Sequence, residues 1–277
     1  MNRPLSHETL GNWQSLVVVH RITSTIMRGA YRNHAEPMQI VSGRYVGRAR
    51  RVHYEAPPST DVPGEMARFL GWYNGDSKHL AGPIRAAVAH VWFEKIHPFE
   101  DGNGRVGRAI SDHALSQSLG RPTLACLATA IDADRDGYYD ALEAVGRGNL
   151  DLSAFLDYFT AAIVRAQEIA LAEVGFVLGR TRFHDRYDGR LNERQRKVIA
   201  RVFAEGRAGF AGGLSAKNYV SIAKCAPATA TRDLAALRDM GALVAHGRGR
   251  GIRYEISCPT PALDMPGQSA PNRTNRE

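Results

Sequence analysis

Residues 97–108 read HPFEDGNGRVGR, and the apolar spacing on either side of this run leaves little choice about its setting. Upstream, Ile84, Val88, Val91, Trp92 and Ile96 recur at helical spacing after Pro83, a residue suited to a first helical position. Downstream, Val106, Ala109, Ile110 and Ala114 repeat the pattern. They predict a second helix from near Asn103 to about Leu119, stopped by Gly120 and Pro122. The segment His97–Gly102 is therefore expected as a tight loop between two buried helices.

The residue types in this loop suit phosphate chemistry. Gly102-Asn103-Gly104 at a helix start lets backbone N–H groups and the helix dipole approach an anion closely. Arg105 and Arg108, three residues apart, share the helix face just beyond, and guanidinium forks match phosphate oxygens. Asp101 precedes the cradle, where a carboxylate can hold Mg²⁺ bridging the same phosphates. His97 ends the preceding helix, and an imidazole titrating near neutrality can take a proton from an attacking hydroxyl. Each type alone is common in turns or on solvated faces. Their combination within one short run points to phosphoryl or nucleotidyl transfer.

At these residues the sequence resembles the Fic family, whose motif HPFx(D/E)GNGRxxR is matched at every specified position from His97 to Arg108. The resemblance implies a protein adenylyltransferase that moves AMP from ATP to a hydroxyl of a target protein. In that reading His97 is the base, Asp101 the Mg²⁺ ligand, and Phe99 the anchor of the loop. Gly102, Asn103, Gly104, Arg105 and Arg108 hold the phosphates of the nucleotide. Tyr138 and Tyr139 resemble the adenine-side residues. The runs around Met38–Gly43 and Arg51–Ala56 read as paired strands. They are similar to the family's target-binding flap, with Gln39, Ile40, Val41, Val52, His53 and Tyr54 as its contact residues.

One departure from the family pattern bears on control. Many Fic proteins carry an inhibitory helix, (S/T)xxxE(G/N), whose glutamate pairs with the second motif arginine. No such sequence occurs here; the nearest run, STIMRG at Ser24–Gly29, has Arg28 at the glutamate position. In similar two-domain members that helix lies upstream of a segment resembling Pro4–Trp13. Constitutive activity, or a separate antitoxin that supplies the glutamate, is the expectation.

Charge divides the chain. Residues 1–175 hold 18 Lys/Arg against 19 Asp/Glu, whereas 176–258 hold 16 against 7, so the net charge of +8 belongs to the second segment. A basic small domain suits a polyanionic partner. Within it, Asn192 and Gln195 form an expected capping box for a helix through about Ala204. Helices over Ala216–Lys224 and Pro227–Met240 follow, then strand-like runs Leu243–Ala245 and Ile252–Ile256 around the glycine-rich tip His246–Gly251. This order resembles a winged helix. In its DNA-binding form Thr229, Thr231 and Arg232 face bases, and Arg248, Arg250 and Arg253 meet phosphates.

The expected architecture is mainly α: a Fic-type helical bundle with a β-hairpin flap over 1–178, a Gly/Arg/Asp-rich linker over 179–190, a small winged helix-turn-helix domain over 191–258, and a disordered tail over 259–277. Cys126, Cys225 and Cys258 are widely spaced, with no CxxC pair, and read as structural thiols. Without a long apolar run or a signal-like amino terminus, a cytoplasmic setting is expected. A nucleotide-sensing, DNA-binding transcription regulator is the competing class, although a pure sensor has no need of a base at His97. Transfer of a different group from the nucleotide is a third.

Overall fold

The computed structural model describes residues 3–18, 26–42, 51–147, 151–210 and 212–257. They form two compact units, Met1–Ala170 and Leu171–Glu277.

In the first unit, α1 (His7–Val17) starts at Ser6, whose side chain accepts from Thr9 N–H. A two-stranded antiparallel hairpin follows, β1 (Gln39–Ser42) and β2 (Arg51–Glu55), and then α2 (Val62–Asn74). Next come α3 (Gly82–Ile96) and α4 (Asn103–Leu119), with the ends that the apolar spacing predicts, then α5 (Leu127–Asp132) and α6 (Arg135–Arg147). Helix α3 is the centre of the unit. Its alanines Ala86, Ala87 and Ala89 and its Phe93 are wholly buried, the pattern of a helix enclosed on all sides. Around it pack Met66 and Phe69 of α2, Val106 and Ile110 of α4, and Phe155 and Phe159 of α7 (Ser153–Tyr187).

The hairpin has the expected strands. Gln39 pairs with Glu55, Ile40 with Tyr54 and Val41 with Val52, so His53 is the extra residue of a bulge. The side chains of Ile40, Val41, Val52 and His53 lie outside the described residues, as does the turn over 43–50. Lys95 of α3 sits 4.0 Å from the centre of the Tyr54 ring, fixing β2 against the bundle.

In the second unit, the segment 179–190 is not a linker: residues 179–187 continue α7, and Asp188–Arg190 form one 3₁₀ turn. Burial explains the difference. Phe183 and Tyr187, one helical turn apart, enter the second core, and this outweighs the weak propensity of Gly179. Helices α8 (Glu193–Ala204), α9 (Ala216–Ala223) and α10 (Pro227–Asp239) follow, then the hairpin β3 (Leu243–His246) and β4 (Arg253–Ile256). The Asn192–Gln195 capping box is formed, and a second one at Ser215–Asn218 opens α9. Leu214 bridges Tyr254, adding a third short edge to the hairpin.

Asp233 ties the three helices together. It accepts from Arg194 Nε at 2.9 Å, Tyr219 Oη at 2.9 Å and Asn192 Nδ2 at 3.3 Å, while its carbonyl accepts from Gln195 Nε2. The expected tail over 259–277, and Cys258, lie outside the described residues.

Candidate active site

The site begins with a helix that ends abruptly. His97 adopts the left-handed conformation at φ 48° and ψ 58°, unusual for a side-chain-bearing residue, and closes α3 with its N–H on the Phe93 carbonyl. Such a conformation costs on the order of 1–3 kcal/mol and persists only when its surroundings enforce it. Arg32 supplies the enforcement. Almost wholly buried, it donates to the carbonyls of His97 (2.8 Å), Pro57 (2.5 Å) and Ile96 (3.3 Å), and its N–H reaches that of Pro98. Cation donors at the carboxyl end of a helix are favoured by its dipole. Arg32 lies far from the loop in sequence, and no local pattern points to it.

The loop is then locked from within. Phe99 is buried against Phe93 and Tyr31. Asn103 accepts from Phe99 N–H at 2.9 Å and donates to the Phe99 carbonyl at 2.7 Å, so its amide ties the loop together from within. Gly102 sits at φ 90°, and a Cβ on it would come within 3.1 Å of Val18. The first amides of α4, at Asn103 and Gly104, have no intrahelical partner at the helix amino terminus, and Gly102 N–H donates to Asp101 Oδ1 at 2.7 Å.

Asp101 and Arg105 pair with each other at 3.2 Å, and Arg105 also donates to the Val17 carbonyl. Gln14, buried on α1, donates to the carbonyls of Asp101 and Met27 and accepts from Gly29 N–H. Glu100 accepts from Met27 N–H. Arg28 donates to the Ser15 carbonyl rather than reaching the motif arginines.

His97 has 17% of its side chain exposed, and burial pulls its pKa down to about 4. Its Nδ1 faces the Glu94 carbonyl at 3.3 Å. A carbonyl only accepts, so Nδ1 carries the proton and Nε2 holds the free lone pair. The imidazole is therefore neutral, with a nitrogen able to accept a proton.

Beyond Arg108 opens a cavity of about 660 Å³, lined by Arg108, Thr129, Asp132, Arg135, Tyr138 and Tyr139. The two tyrosines differ. Tyr138 is 5% exposed and its hydroxyl meets His90 Nε2 at 2.9 Å, making it chiefly a core residue; Tyr139 is half-buried. His90 is pulled down to about 4 by burial and is therefore neutral, with Tyr138 donating to it. Glu94 is buried too, and burial pushes it up to about 7 against the opposing charge of Arg108.

Residues 4–115 match the sequence profile of the Fic/DOC family. Over 140 residues the chain is 31% identical to the protein adenylyltransferase Fic of Culex quinquefasciatus, covering 50% of this chain and 26% of that protein. Over 115 residues it is 32% identical to the protein adenylyltransferase fic-1 of Caenorhabditis elegans, covering 41% and 20%. The chain thus spans about a quarter or less of the length of these relatives. A crystal structure of a Fic family protein from Desulfovibrio desulfuricans G20 superposes over 91% of this chain and 68% of its own, at 20% identity and a TM-score of 0.48.

In the second unit Arg232 and Arg248 are exposed, Thr229 is half-buried, and Thr231 donates to the Pro227 carbonyl of its own helix. Arg253 donates to the Ile252 carbonyl. The Arg250 side chain lies outside the described residues. No described helix is long and apolar enough to cross a membrane. Cys126 and Cys225 are free thiols.

Proposed function

We propose that this chain is a protein adenylyltransferase. The observation that carries the reading is a neutral His97, its Nδ1 committed to a carbonyl, in the same short loop as the open amides of α4 and the arginines Arg105 and Arg108. Residues 39–42 and 52–55 of the hairpin present the target segment. The hydroxyl oxygen of that segment attacks the α-phosphorus of ATP as Nε2 of His97 takes its proton. The α–β phosphoanhydride bond breaks and pyrophosphate leaves with the displaced electron pair. The amides of Gly102, Asn103 and Gly104, with Arg105 and Arg108, hold the charge on the phosphates. The cavity beside Tyr139 accommodates the adenosine, with Tyr138 supporting its wall from the core.

Among the described residues no cluster of three or more metal-ligating side chains occurs. A lone half-exposed carboxylate beside a phosphate cradle still fits Mg²⁺, which is commonly bound by one or two carboxylates together with substrate phosphates and water. Asp101 would hold it, and the ion would neutralise phosphate charge.

Incubation of the chain with a protein substrate mixture and ATP labelled at either the α- or the γ-phosphate tests the reading. Label from the α position alone is expected on protein. Label from the γ position would signify phosphoryl transfer instead.

For the second unit, three helices followed by a hairpin, with exposed Arg232 and Arg248, support a winged helix that docks DNA. Retention on duplex DNA that falls steeply with salt is the expected result, since phosphate contacts release counterions; salt-independent retention, or none, argues against it. Control is assigned to a separate inhibitory protein that brings a glutamate to Arg108. Strong transfer by the isolated chain fits this view, and an inactive isolated chain that a partner activates contradicts it.

A further inference from the structure

Glu94 is a buried carboxylate beside the active-site loop that the mechanism above leaves without a task. It lies in the last turn of α3, with 5% of its side chain exposed. Its two oxygens have different settings. Oε2 is 3.7 Å from Nδ1 of His97, whereas Oε1 has no hydrogen-bond partner among the described residues. The missing side chain of Gly107 makes room for Oε1. A Cβ at that position would stand 2.8 Å from it, and 3.2 Å from the ring of His90. Helix α4 can lie this close to α3 only because position 107 is bare.

A buried carboxylate with an unpaired oxygen is costly, by a margin that structural roles do not justify when an amide or an apolar residue would fill the same space. Its charged surroundings suggest what it repays. His97 adjoins it from the end of α3, Arg108 acts on it from α4, and Tyr138 approaches from α6; His90, on its own helix, borders the same gap at Gly107. Asp112, one turn beyond Arg108, is a second carboxylate with an unpaired buried oxygen on which the Arg108 charge acts.

When His97 accepts the proton of the attacking hydroxyl, it becomes a cation in a dry site that already holds Arg32 and Arg108. Burial and Arg32 both disfavour that cation. Asp101 favours it from within the loop, and an ionised Glu94, with Oε2 3.7 Å from Nδ1, adds a second countercharge.

We propose that Glu94 is a positioning residue for His97, its carbonyl holding the Nδ1–H tautomer and its carboxylate stabilising the imidazolium that forms during transfer. The inference rests on the adenylyltransferase reading and deepens it. Glu94 touches neither ATP nor target; it acts through His97, as the buried carboxylate does in a nucleophile–His–carboxylate arrangement. Gly107 belongs to the same device, because any side chain there displaces the carboxylate.

The test is the pH dependence of AMP transfer by the full chain, wild type against Glu94→Gln, with the melting temperature of each recorded. Burial pushes Glu94 up to about 7, so the wild-type kcat is expected to climb between about pH 6 and 8 as the carboxylate ionises. Glu94→Gln preserves the shape but not the charge. Its kcat should fall on the order of 10-fold or more at the upper end of that range, with the climb abolished and KM for ATP within about twofold. A purely structural role would lower the melting temperature or change KM without removing the pH limb. An unchanged kcat with an unchanged limb overturns the proposal. If Glu94→Gln does not fold, Glu94→Asp carries the test: withdrawing the carboxylate by one methylene should reduce kcat several-fold while the limb survives, and a full rate counts against it. A wild-type chain that transfers no AMP at any pH would instead contradict the adenylyltransferase reading itself.

Discussion

Each unit has a buried carboxylate that meets a charged partner, Glu94 in the first and Asp233 in the second, and these two are treated in opposite ways. Asp233 of α10 in the second unit is surrounded by donors from the two other helices: Asn192 and Arg194 at the start of α8, and Tyr219 of α9. Burial alone would raise its pKa, but the hydrogen bonds from Arg194, Tyr219 and Asn192 outweigh it and hold the carboxyl below its ordinary range. Glu94 in the first unit has one unpaired oxygen, a histidine at 3.7 Å and an arginine charge nearby, and burial prevails, pushing it up to about 7. A satisfied buried charge organises a core. An unsatisfied one beside a proton acceptor is held ready for a change of charge.

The sharpest way to break this comparison is to remove the satisfied charge. Asp233→Ala strands Arg194, Tyr219 and the start of α8, and is expected to destabilise the second unit by about 3–5 kcal/mol, read by chemical denaturation, because its partners lose their common acceptor. AMP transfer by the first unit should persist under conditions where that unit stays folded. A loss below about 1 kcal/mol would mean that the Asp233 network is not a keystone.

Asn103→Ala comes next. It frees the buried N–H and carbonyl of Phe99, each worth about 1–3 kcal/mol when left unpaired, and lets the loop relax. Both melting temperature and kcat should drop. A stable variant lacking only nucleotide affinity would make Asn103 chiefly a phosphate contact rather than a brace of the loop.

Glu94→Gln offers a smaller effect with a definite sign. Glu94 is raised from 4.5 to about 7 in the folded chain, so the native state binds the extra proton between those values and stability is lost as pH rises through them. Replacing it with glutamine removes this loss. The stability of the variant relative to wild type should therefore increase from pH 5 to pH 8, by on the order of 2 kcal/mol. His90 and His97, both pulled down to about 4, oppose this in the wild type by costing stability as pH falls from about 6.5, but they are common to both proteins and cancel in the difference. The smallest effect is expected for Tyr138→Phe, which leaves His90 Nε2 without its donor and should cost about 1–2 kcal/mol with little change in KM for ATP. A large rise in KM would move Tyr138 from the core to the nucleotide.

What the sequence conveyed depended on whether the constraint was local. The ends of α3 and α4, the glycines of the cradle and the Asn192–Gln195 capping box are short-range patterns, and they were legible. Residues whose meaning comes from distant partners were not. Arg32 caps α3 from sixty-five positions away, and nothing beside it says so. Glu94 reads as one more helical glutamate until Gly107 is seen to make room for its carboxylate. The stretch 179–190 looked like a linker by its Gly, Arg and Asp content, yet Phe183 and Tyr187 were already spaced for one helical face. Composition spoke for the surface, and periodicity spoke for the core.

The central claim is that His97 is the base for AMP transfer to a protein hydroxyl. Intact-mass analysis of proteins incubated with ATP, Mg²⁺ and either the wild-type chain or a folded His97→Ala variant addresses it directly. The account predicts an increment of one AMP less water with the wild type and none with the variant. Equal modification by both would contradict it.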